Sequence, residues 1–451
     1  MRTRQQRTDR RRRSARPPVW RPCSARPAVL LAAGLACVAV LSSGCVPALV
    51  GALPDASGGD GGAGELPPRP PAQLGAQRCE QPTADGEFER VDPERVDLRA
   101  DAVAEAIEYA TAKGGQSVRV YRHDCLVGTG GWDPLTEASL LPAWSMTKGV
   151  VSVVAGRAVT LGLLDVDAPI GRYLDGLDEA HAAITVRHLL TQTSGLRFAW
   201  ANDLNAAATL DSARRVLTRP FEAEPGTKFI YAQTTVTALV SVVQAAVGED
   251  FQAFADREVF RRIGIERHEW HWERDVVGTT QGFAFLSMTP KGFARIGSLL
   301  GDGGRWRGEP LIDPEYIRQG ATGTPVNPGY GFLWRTNHGP DGVPGPLQDP
   351  ELVSMSAAPE DTFYLSGLFE QNVIVVPSLD LVIVRMGLPE QIFGDPMGEV
   401  KGRRPDWDHR FFRILLSGVT DVALADPGEW VPPPEGPPEG LELEHLIGIG
   451  F

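Results

Sequence analysis

Several features that would direct a sequence to a particular class of protein are scarce here. No group of cysteine and histidine residues has the spacing of a zinc site, so no metal and no cofactor is expected. Without residues 1–44, 34 basic residues face 56 acidic ones, a net charge of −22. A body this acidic repels nucleic acid and anionic membrane surfaces, so no nucleic-acid partner is expected. Global disorder is excluded because 42% of the residues are hydrophobic and 22% are charged.

The N-terminal segment has the order of an export signal. An arginine-dense stretch, residues 2–26, precedes an apolar run, residues 28–41, which is too short to span a bilayer comfortably. Ser-Ser-Gly-Cys45 follows, so a signal peptide is predicted over residues 1–44. Small residues before Cys45 resemble a bacterial lipoprotein box. We therefore expect an exported, extracytoplasmic protein anchored to the membrane by lipid on Cys45, with a plain secretory signal as the alternative.

Cysteine is rare, and its positions agree with export. Of five cysteines, Cys23 and Cys37 belong to the signal and Cys45 would carry lipid. Cys79 and Cys125 remain as an even pair in an oxidising compartment, so a disulfide between them is predicted. Two free thiols are the alternative.

Composition divides the chain into four parts. The signal is followed by a Gly/Pro-rich tether over residues 45–78, a folded domain over 79–425 and a Pro-rich tail over 426–451. Strand patterns occur near both ends of the folded domain, at 117–127 and 372–385, with helices predicted over 101–113 and 410–416. Residues 145–300 are mostly helical. The fold class is α+β, with an antiparallel sheet, flanking terminal helices and an inserted helical lobe.

Lysine is the rarest charged residue, and one lysine stands beside a serine at a predicted helix start. The five lysines are Lys113, Lys148, Lys228, Lys291 and Lys401. Lys148 follows Ser145 by three residues, so the two side chains share a helix face. Unlike arginine, a desolvated lysine can release its proton and serve as the base for a serine hydroxyl. The alternative is a lysine that extends along the helix surface to reach water.

The sequence around this pair resembles the serine β-lactamase and penicillin-binding-protein superfamily, in particular its class C-like branch. Trp144-Ser-Met-Thr-Lys148 is similar to the nucleophile motif, and residues 224–233 are similar to the segment that carries the second motif, Tyr-x-Asn. Further similar blocks lie at 184–196, 282–306 and 371–385. The blocks occur in the family's order over about residues 100–420 and most resemble family esterases and 6-aminohexanoate-oligomer hydrolases.

The resemblance implies roles for individual residues. Ser145 would be the nucleophile and Lys148 its base or proton shuttle. Tyr231 would be the second proton-transfer group, because a neighbouring ammonium would lower its pKa from about 10. The backbone N–H groups of Ser145 and Leu368 would bind the oxyanion. Trp144 would line the pocket or pack beside it.

Three departures from the family pattern concern substrate binding. Gln233 stands where Tyr-x-Asn has asparagine, which keeps the amide on a longer arm. No Lys-Thr-Gly or His-x-Gly motif is visible over residues 361–371, so the cation that binds a substrate carboxylate is missing from its usual place. Phe369 and Glu370 replace residues that tend to be glycine, and they are expected to add bulk and negative charge beside the oxyanion hole. Trp144, Gln233 and Phe369 are the expected substrate contacts.

These departures favour a particular activity. Without a cation for a carboxylate, we expect an exported serine hydrolase that cleaves an ester or amide bond of a small-molecule or peptide-like substrate through an acyl-enzyme on Ser145. The alternatives are a catalytically degenerate binding or sensor protein, or a DD-peptidase or β-lactamase.

Overall fold

The computed structural model describes residues 76–84, 86–199, 203, 211–337, 355–387 and 407–431. The predicted signal peptide, Cys45, most of the tether and the end of the tail lie outside the described residues. Among the described residues, none of the helices combines the length and the apolar character needed to cross a membrane. The domain limits at 79 and 425 stay predictions.

Most of the longer strands lie near the two ends of the described chain, and helices dominate its middle. The α-helices are α1 (Ala100–Ala112), α2 (Asp133–Thr136), α3 (Met146–Thr160), α4 (Glu179–Ala182), α5 (Val186–Leu190), α6 (Ser212–Val216), α7 (Thr234–Val247), α8 (Phe251–Ala255), α9 (Pro290–Gly301), α10 (Pro314–Ala321) and α11 (Trp407–Ser417). The strands are β1 (Gly115–Arg122), β2 (Cys125–Thr129), β3 (Leu141–Pro142), β4 (Trp270–Trp272), β5 (Leu286–Met288), β6 (Arg305–Trp306), β7 (Glu309–Pro310), β8 (Arg335–Thr336), β9 (Phe363–Gly367), β10 (Gln371–Val376) and β11 (Leu381–Gly387).

The main sheet joins the two ends of the folded chain. Its strand order is β2-β1-β11-β10-β9-β8, and every neighbouring pair is antiparallel. The predicted hairpin of β10 and β11 forms through a turn at Pro377–Leu379, with Val373 opposite Val384. β1 pairs with β11 at the centre of this sheet, so the terminal strands close the fold around everything inserted between them.

Each face of the main sheet is covered by a hydrophobic core. On one face, α1 and α11 pack through residues such as Ile107 and Phe411. On the other face, α3 and α9 pack against the sheet and separate it from the helical lobe. α3 is buried all round from Met146 to Ala158, which explains why its sequence is apolar without a polar side. The predicted α+β architecture is confirmed.

The N-terminal segment is held to the β1–β2 turn. Cys79 and Cys125 form a disulfide with a Cα–Cα distance of 5.1 Å, the pairing expected from the cysteine count. The Cys79 N–H also donates to the carbonyl of His123 at 2.9 Å. The chain that precedes α1 is therefore attached both covalently and by hydrogen bonding to the edge of the sheet.

Candidate active site

Ser145 lies where the chain turns from β3 into α3. Trp144 adopts a left-handed backbone conformation, with φ of 49°, which a residue with a large side chain keeps only when its surroundings impose it. Ser145 itself is already helical, with φ of −67° and ψ of −14°, and caps the N-terminus of α3. Its side chain is half-buried, and its backbone N–H has no hydrogen-bond partner among the described residues. The serine thus sits at the positive end of the helix dipole with a free donor.

Lys148 is buried one turn into the same helix and is only 1% exposed. Its Nζ donates to Ser145 Oγ at 2.9 Å, to Gln233 Oε1 at 2.7 Å and to the carbonyl oxygen of Phe283 at 2.9 Å. An ammonium has three protons, so these three acceptors use all of them. The orientation of Lys148 toward Ser145 is therefore fixed by its two other partners.

Burial lowers the pKa of Lys148 below its ordinary value, because the apolar surroundings disfavour the charged form. The nearby Tyr231 hydroxyl raises this pKa, the positive charge of Arg335 on β8 lowers it further, and the carboxylate of Asp203 raises it. The net effect is a lysine that loses its proton more readily than one in water.

Tyr231 lies across from Lys148, with its ring centroid 4.7 Å from Nζ. Burial alone would raise the pKa of the Tyr231 hydroxyl, but the positive charges of Lys148 and Arg335 and the nearby polar groups of Ser145 and Lys148 outweigh burial. The pKa of this hydroxyl is therefore lowered. The structure brings the serine, the lysine and the tyrosine together as the resemblance implied.

Gln233 makes the lysine contact in spite of its longer arm. It occupies the N-cap position of α7 without capping the helix through its side chain, and its side-chain oxygen accepts the 2.7 Å hydrogen bond from Lys148. Its Nε2 has no hydrogen-bond partner among the described residues. The Gln233 side chain thus contacts Lys148 through its oxygen and makes no hydrogen bond through its nitrogen to any described residue.

Two buried residues that the sequence did not indicate hold the segment 231–233. Gln192 brackets Ala232, since its Oε1 accepts from the Ala232 N–H at 3.1 Å and its Nε2 donates to the Ala232 carbonyl at 3.0 Å. Asp203 accepts from the Gln233 N–H at 2.7 Å. Gln192 belongs to the family-like block 184–196, which was a usable signal. Asp203 lies outside every such block, and no pattern pointed to it.

The end of β9 forms the opposite wall. A Cβ added to Gly367 would collide with the carbonyl oxygen of Ala143 and lie 3.2 Å from Ser145 N, so only glycine allows this approach. The third family motif would therefore fall on Leu365-Ser366-Gly367, which has leucine where a cation was expected. Leu365 is buried against Gly149 of α3. Leu368 follows Gly367 directly in the chain, and its role as the second oxyanion donor stays a prediction.

The expectation that Glu370 brings negative charge to the oxyanion hole is wrong. Its carboxylate lies 3.1 Å from a guanidinium nitrogen of Arg385 on β11, which in turn stacks on Trp407. Phe369 and Glu370 both have left-handed backbones, with φ of 63° and 58°, in the turn between β9 and β10. Phe369 packs edge to face against Trp144 with ring centroids 5.3 Å apart. The Phe369 ring thus lies against Trp144, the neighbour of Ser145, whereas the Glu370 carboxylate is paired with Arg385.

Comparisons with known proteins identify the family of this chain. The family model described as Beta-lactamase matches residues 100–387, more than half of the chain. The chain is 29% identical over 153 residues to Esterase EstB of Burkholderia gladioli, covering 29% of this chain and 38% of that protein. It is 26% identical over 187 residues to a D-aminopeptidase of Gluconobacter oxydans, covering 38% of this chain and 35% of that protein. The chain thus spans less than two fifths of each of these relatives.

A solved structure with a similar fold is that of a Bacillus anthracis protein assigned as a 6-aminohexanoate-dimer hydrolase. The TM-score is 0.54 at 14% identity, covering 76% of this chain and 90% of that one. At this identity the similarity concerns the fold alone.

Proposed function

This chain belongs to the beta-lactamase family, and we propose that it is an exported serine hydrolase that cleaves an ester or amide bond through an acyl-enzyme on Ser145. The observation that carries the proposal is the 2.9 Å hydrogen bond from Lys148 Nζ to Ser145 Oγ, made by an almost fully buried lysine. Burial favours the neutral amine, which keeps its two N–H bonds for Gln233 and Phe283 and directs its lone pair at Ser145 Oγ. In that form Lys148 can take the proton of the hydroxyl.

In the proposed acylation step, Ser145 Oγ attacks the substrate carbonyl carbon while its proton passes to Lys148. The electron pair of the carbonyl moves to oxygen, and the resulting oxyanion accepts hydrogen bonds from the N–H groups of Ser145 and Leu368. Such donors, fixed before the reaction, stabilise the transition state without reorganisation. The start of α3 adds a favourable dipole at the same point.

Tyr231 is the proposed donor to the leaving group. As the C–O or C–N bond breaks, its hydroxyl delivers a proton to the departing oxygen or nitrogen and recovers one from Lys148. In deacylation, water attacks the acyl carbon of the Ser145 ester and loses one proton through Tyr231 to neutral Lys148. The bond between the acyl carbon and Oγ then breaks, Lys148 returns the proton to Oγ, and the acid leaves with Ser145 restored. The lowered pKa of Tyr231 suits a group that must exchange protons in both directions.

A substrate without a carboxylate beside the scissile bond fits the site best. Leu365 occupies the position where a lysine or histidine would bind a carboxylate, and it packs against Gly149. Trp144 and Phe369 present aromatic surface near Ser145 instead. The Nε2 of Gln233 is the proposed donor to the acyl group. The names of the esterase and D-aminopeptidase relatives fit an ester or amide donor.

Turnover by the purified domain tests this proposal. We expect hydrolysis of neutral p-nitrophenyl esters or anilides in preference to benzylpenicillin and D-alanyl-D-alanine peptides, and loss of turnover in Ser145→Ala. Circular dichroism verifies that both proteins are folded. A folded wild type that cleaves none of these compounds would contradict the hydrolase and favour a binding protein.

We also propose that lipid on Cys45 anchors the exported domain. The arginine-rich and apolar order of residues 2–41 and the disulfide at Cys79 fit an extracytoplasmic location. Expressed in a bacterium, the wild type should fractionate with membranes, and Cys45→Ala should not. If both forms are released equally, the lipid anchor is ruled out and a plain secretory signal remains.

A further inference from the structure

The helix that carries the lysine contact begins without a cap of its own. Gln233 is the N-cap residue of α7, but its side chain makes no capping hydrogen bond, because its oxygen is bound to Lys148. The first N–H groups of a helix need acceptors when they are buried. Here the acceptor is Asp203, which is fully buried and comes from outside the helix.

The four hydrogen bonds to Asp203 saturate its carboxylate. Oδ2 accepts from the N–H groups of Gln233 at 2.7 Å and Thr234 at 3.1 Å. Oδ1 accepts from Thr234 Oγ1 at 3.0 Å and from an Arg219 guanidinium nitrogen at 2.6 Å. All four partners donate, and an ionised carboxylate offers about four lone pairs and no proton. An asparagine at this position would direct an N–H₂ group at donors.

We propose that Asp203 is a positioning residue, which holds Gln233 and through it the contact between Lys148 and Ser145. One buried carboxylate fixes the backbone of Gln233, while the Gln233 side chain fixes the lysine. The two functions are divided between two side chains, because the Gln233 oxygen accepts from Lys148 and makes no capping hydrogen bond, whereas Asp203 accepts from the first N–H groups of the helix. This role rests on the proposed function only for its effect on catalysis; its effect on Lys148 is independent of turnover.

The charges around Lys148 predict the direction in which its pKa changes when each of them is removed. The charged or titratable groups that act on Lys148 are Tyr231, Arg335 and Asp203, and Arg219 is the ion-pair partner of Asp203. Asp203 raises the pKa of Lys148, which opposes the lowering by burial. Removing its charge should therefore lower the pKa of Lys148 further, and removing the opposing charge of Arg219 should raise it.

The scarcity of lysine makes this measurable in the full chain. With ¹³C-lysine labelling, only five side chains give Cε signals, and Lys148→Arg identifies the signal of Lys148. In Asp203→Asn we expect the titration midpoint of Lys148 to move to lower pH, and kcat/KM for an ester to fall by up to about 10²-fold. In Arg219→Gln, the midpoint should move to higher pH. Opposite shifts cannot come from general loosening of the fold.

The matched control is Asp133→Asn. Asp133 is also buried and bound to a buried arginine, Arg119, but it makes no hydrogen bond to the site. This variant should lose stability and leave the Lys148 midpoint unchanged. Lys148 midpoints equal to that of wild type in both Asp203→Asn and Arg219→Gln would overturn the proposal. If Asp203→Asn does not fold, Arg219→Gln decides alone, because its side chain is partly exposed.

The same data separate this inference from the proposed function. Opposite midpoint shifts in a wild type that hydrolyses nothing would support the role of Asp203 and contradict the hydrolase. Normal turnover together with unchanged Lys148 midpoints in both variants would support the hydrolase and contradict the role of Asp203.

Discussion

The two walls of the site keep very different amounts of the family pattern. On the α3 and α7 side, Ser145, Lys148 and Tyr231 are present and Lys148 is held by three hydrogen bonds. On the β9 side, Gly367 keeps its close approach to Ser145, but Leu365 stands where a cation was expected. The α3–α7 wall therefore matches the family pattern in its polar side chains, whereas the β9 wall matches it only in the position of its backbone.

The difference follows from what each wall has to do. Proton transfer needs groups fixed within hydrogen-bond distance and shifted in pKa, so few side chains can replace a buried lysine and its acceptors. An oxyanion needs only backbone N–H groups, which any sequence supplies if the strand can approach. Substrate recognition is the part that side chains on β9 can change without loss of the chemistry. The α3–α7 wall should therefore tolerate substitution least.

The largest effect is expected from Lys148→Arg. Arginine keeps the positive charge but cannot release its proton, so kcat/KM for a neutral ester should fall by about 10²–10⁴-fold. Steady-state kinetics measure the loss. The matched control is Lys228→Arg, at a side chain 49% exposed and paired with Glu222, where no change is expected. Activity of Lys148→Arg within tenfold of wild type would remove the lysine from the mechanism.

The β9 wall is tested next by Gly367→Ala. The added Cβ would collide with the Ala143 carbonyl and push the strand end away from Ser145 N. Loss of one oxyanion donor typically costs about 10²–10³-fold in kcat, and we expect a loss of that size. Gly131→Ala is the control, because a Cβ there meets nothing within 4 Å. Full activity in Gly367→Ala would show that β9 does not supply a donor.

A smaller effect is expected from the charge of the substrate. Two esters that differ only by a carboxylate beside the scissile bond are compared by their kcat/KM values. A hydrogen bond to a charged group is worth about 1.5–3 kcal/mol, so a site with a cation on β9 would favour the anionic ester by more than about tenfold. With Leu365 in that place, we expect no preference for it. An anionic preference above tenfold would mean that both walls are functionally intact.

The smallest effect is a shift in pH dependence in Arg335→Gln. The charge of Arg335 lowers the pKa values of Lys148 and Tyr231, so its removal should raise both. The neutral form of Lys148 then appears only at higher pH, so the acidic limb of the kcat/KM profile shifts to higher pH. Arg172→Gln, at a side chain 64% exposed, is the control and should leave the limb in place. A shift of the acidic limb to lower pH in Arg335→Gln would contradict the conclusion that the charge of Arg335 lowers these pKa values.

Local sequence patterns predicted the parts of the site that lie close together in the chain. Ser145 and Lys148 are three residues apart on one helix, so helix geometry alone brings them into contact. The contacts between segments that lie far apart in the chain were harder to predict. The sequence predicted that Gln233 keeps the amide on a longer arm, but it did not indicate that the amide oxygen contacts Lys148. Glu370 predicted a negative charge beside the oxyanion hole. The sequence did not show that Arg385, on the second strand of the next hairpin, pairs with this carboxylate.

Long-range electrostatics had no signal in the sequence at all. Asp203 meets Gln233 across thirty residues, and Arg335 acts on Lys148 from the edge of the sheet. Neither residue belongs to a recognised motif. The architecture could be predicted because hydrophobic periodicity and the order of strands and helices are local properties of the sequence. The contacts of Asp203 and Arg335 depend instead on how the helical lobe packs onto the sheet.

The claim that Ser145 is an activated nucleophile is tested most directly by locating a covalent adduct. The folded wild type is treated with a fluorophosphonate probe, digested, and its peptides are identified by mass spectrometry. We expect a single adduct, on Ser145, that is absent in Ser145→Ala and forms much more slowly in Lys148→Arg. An adduct on another residue, or none on a folded protein, would contradict it.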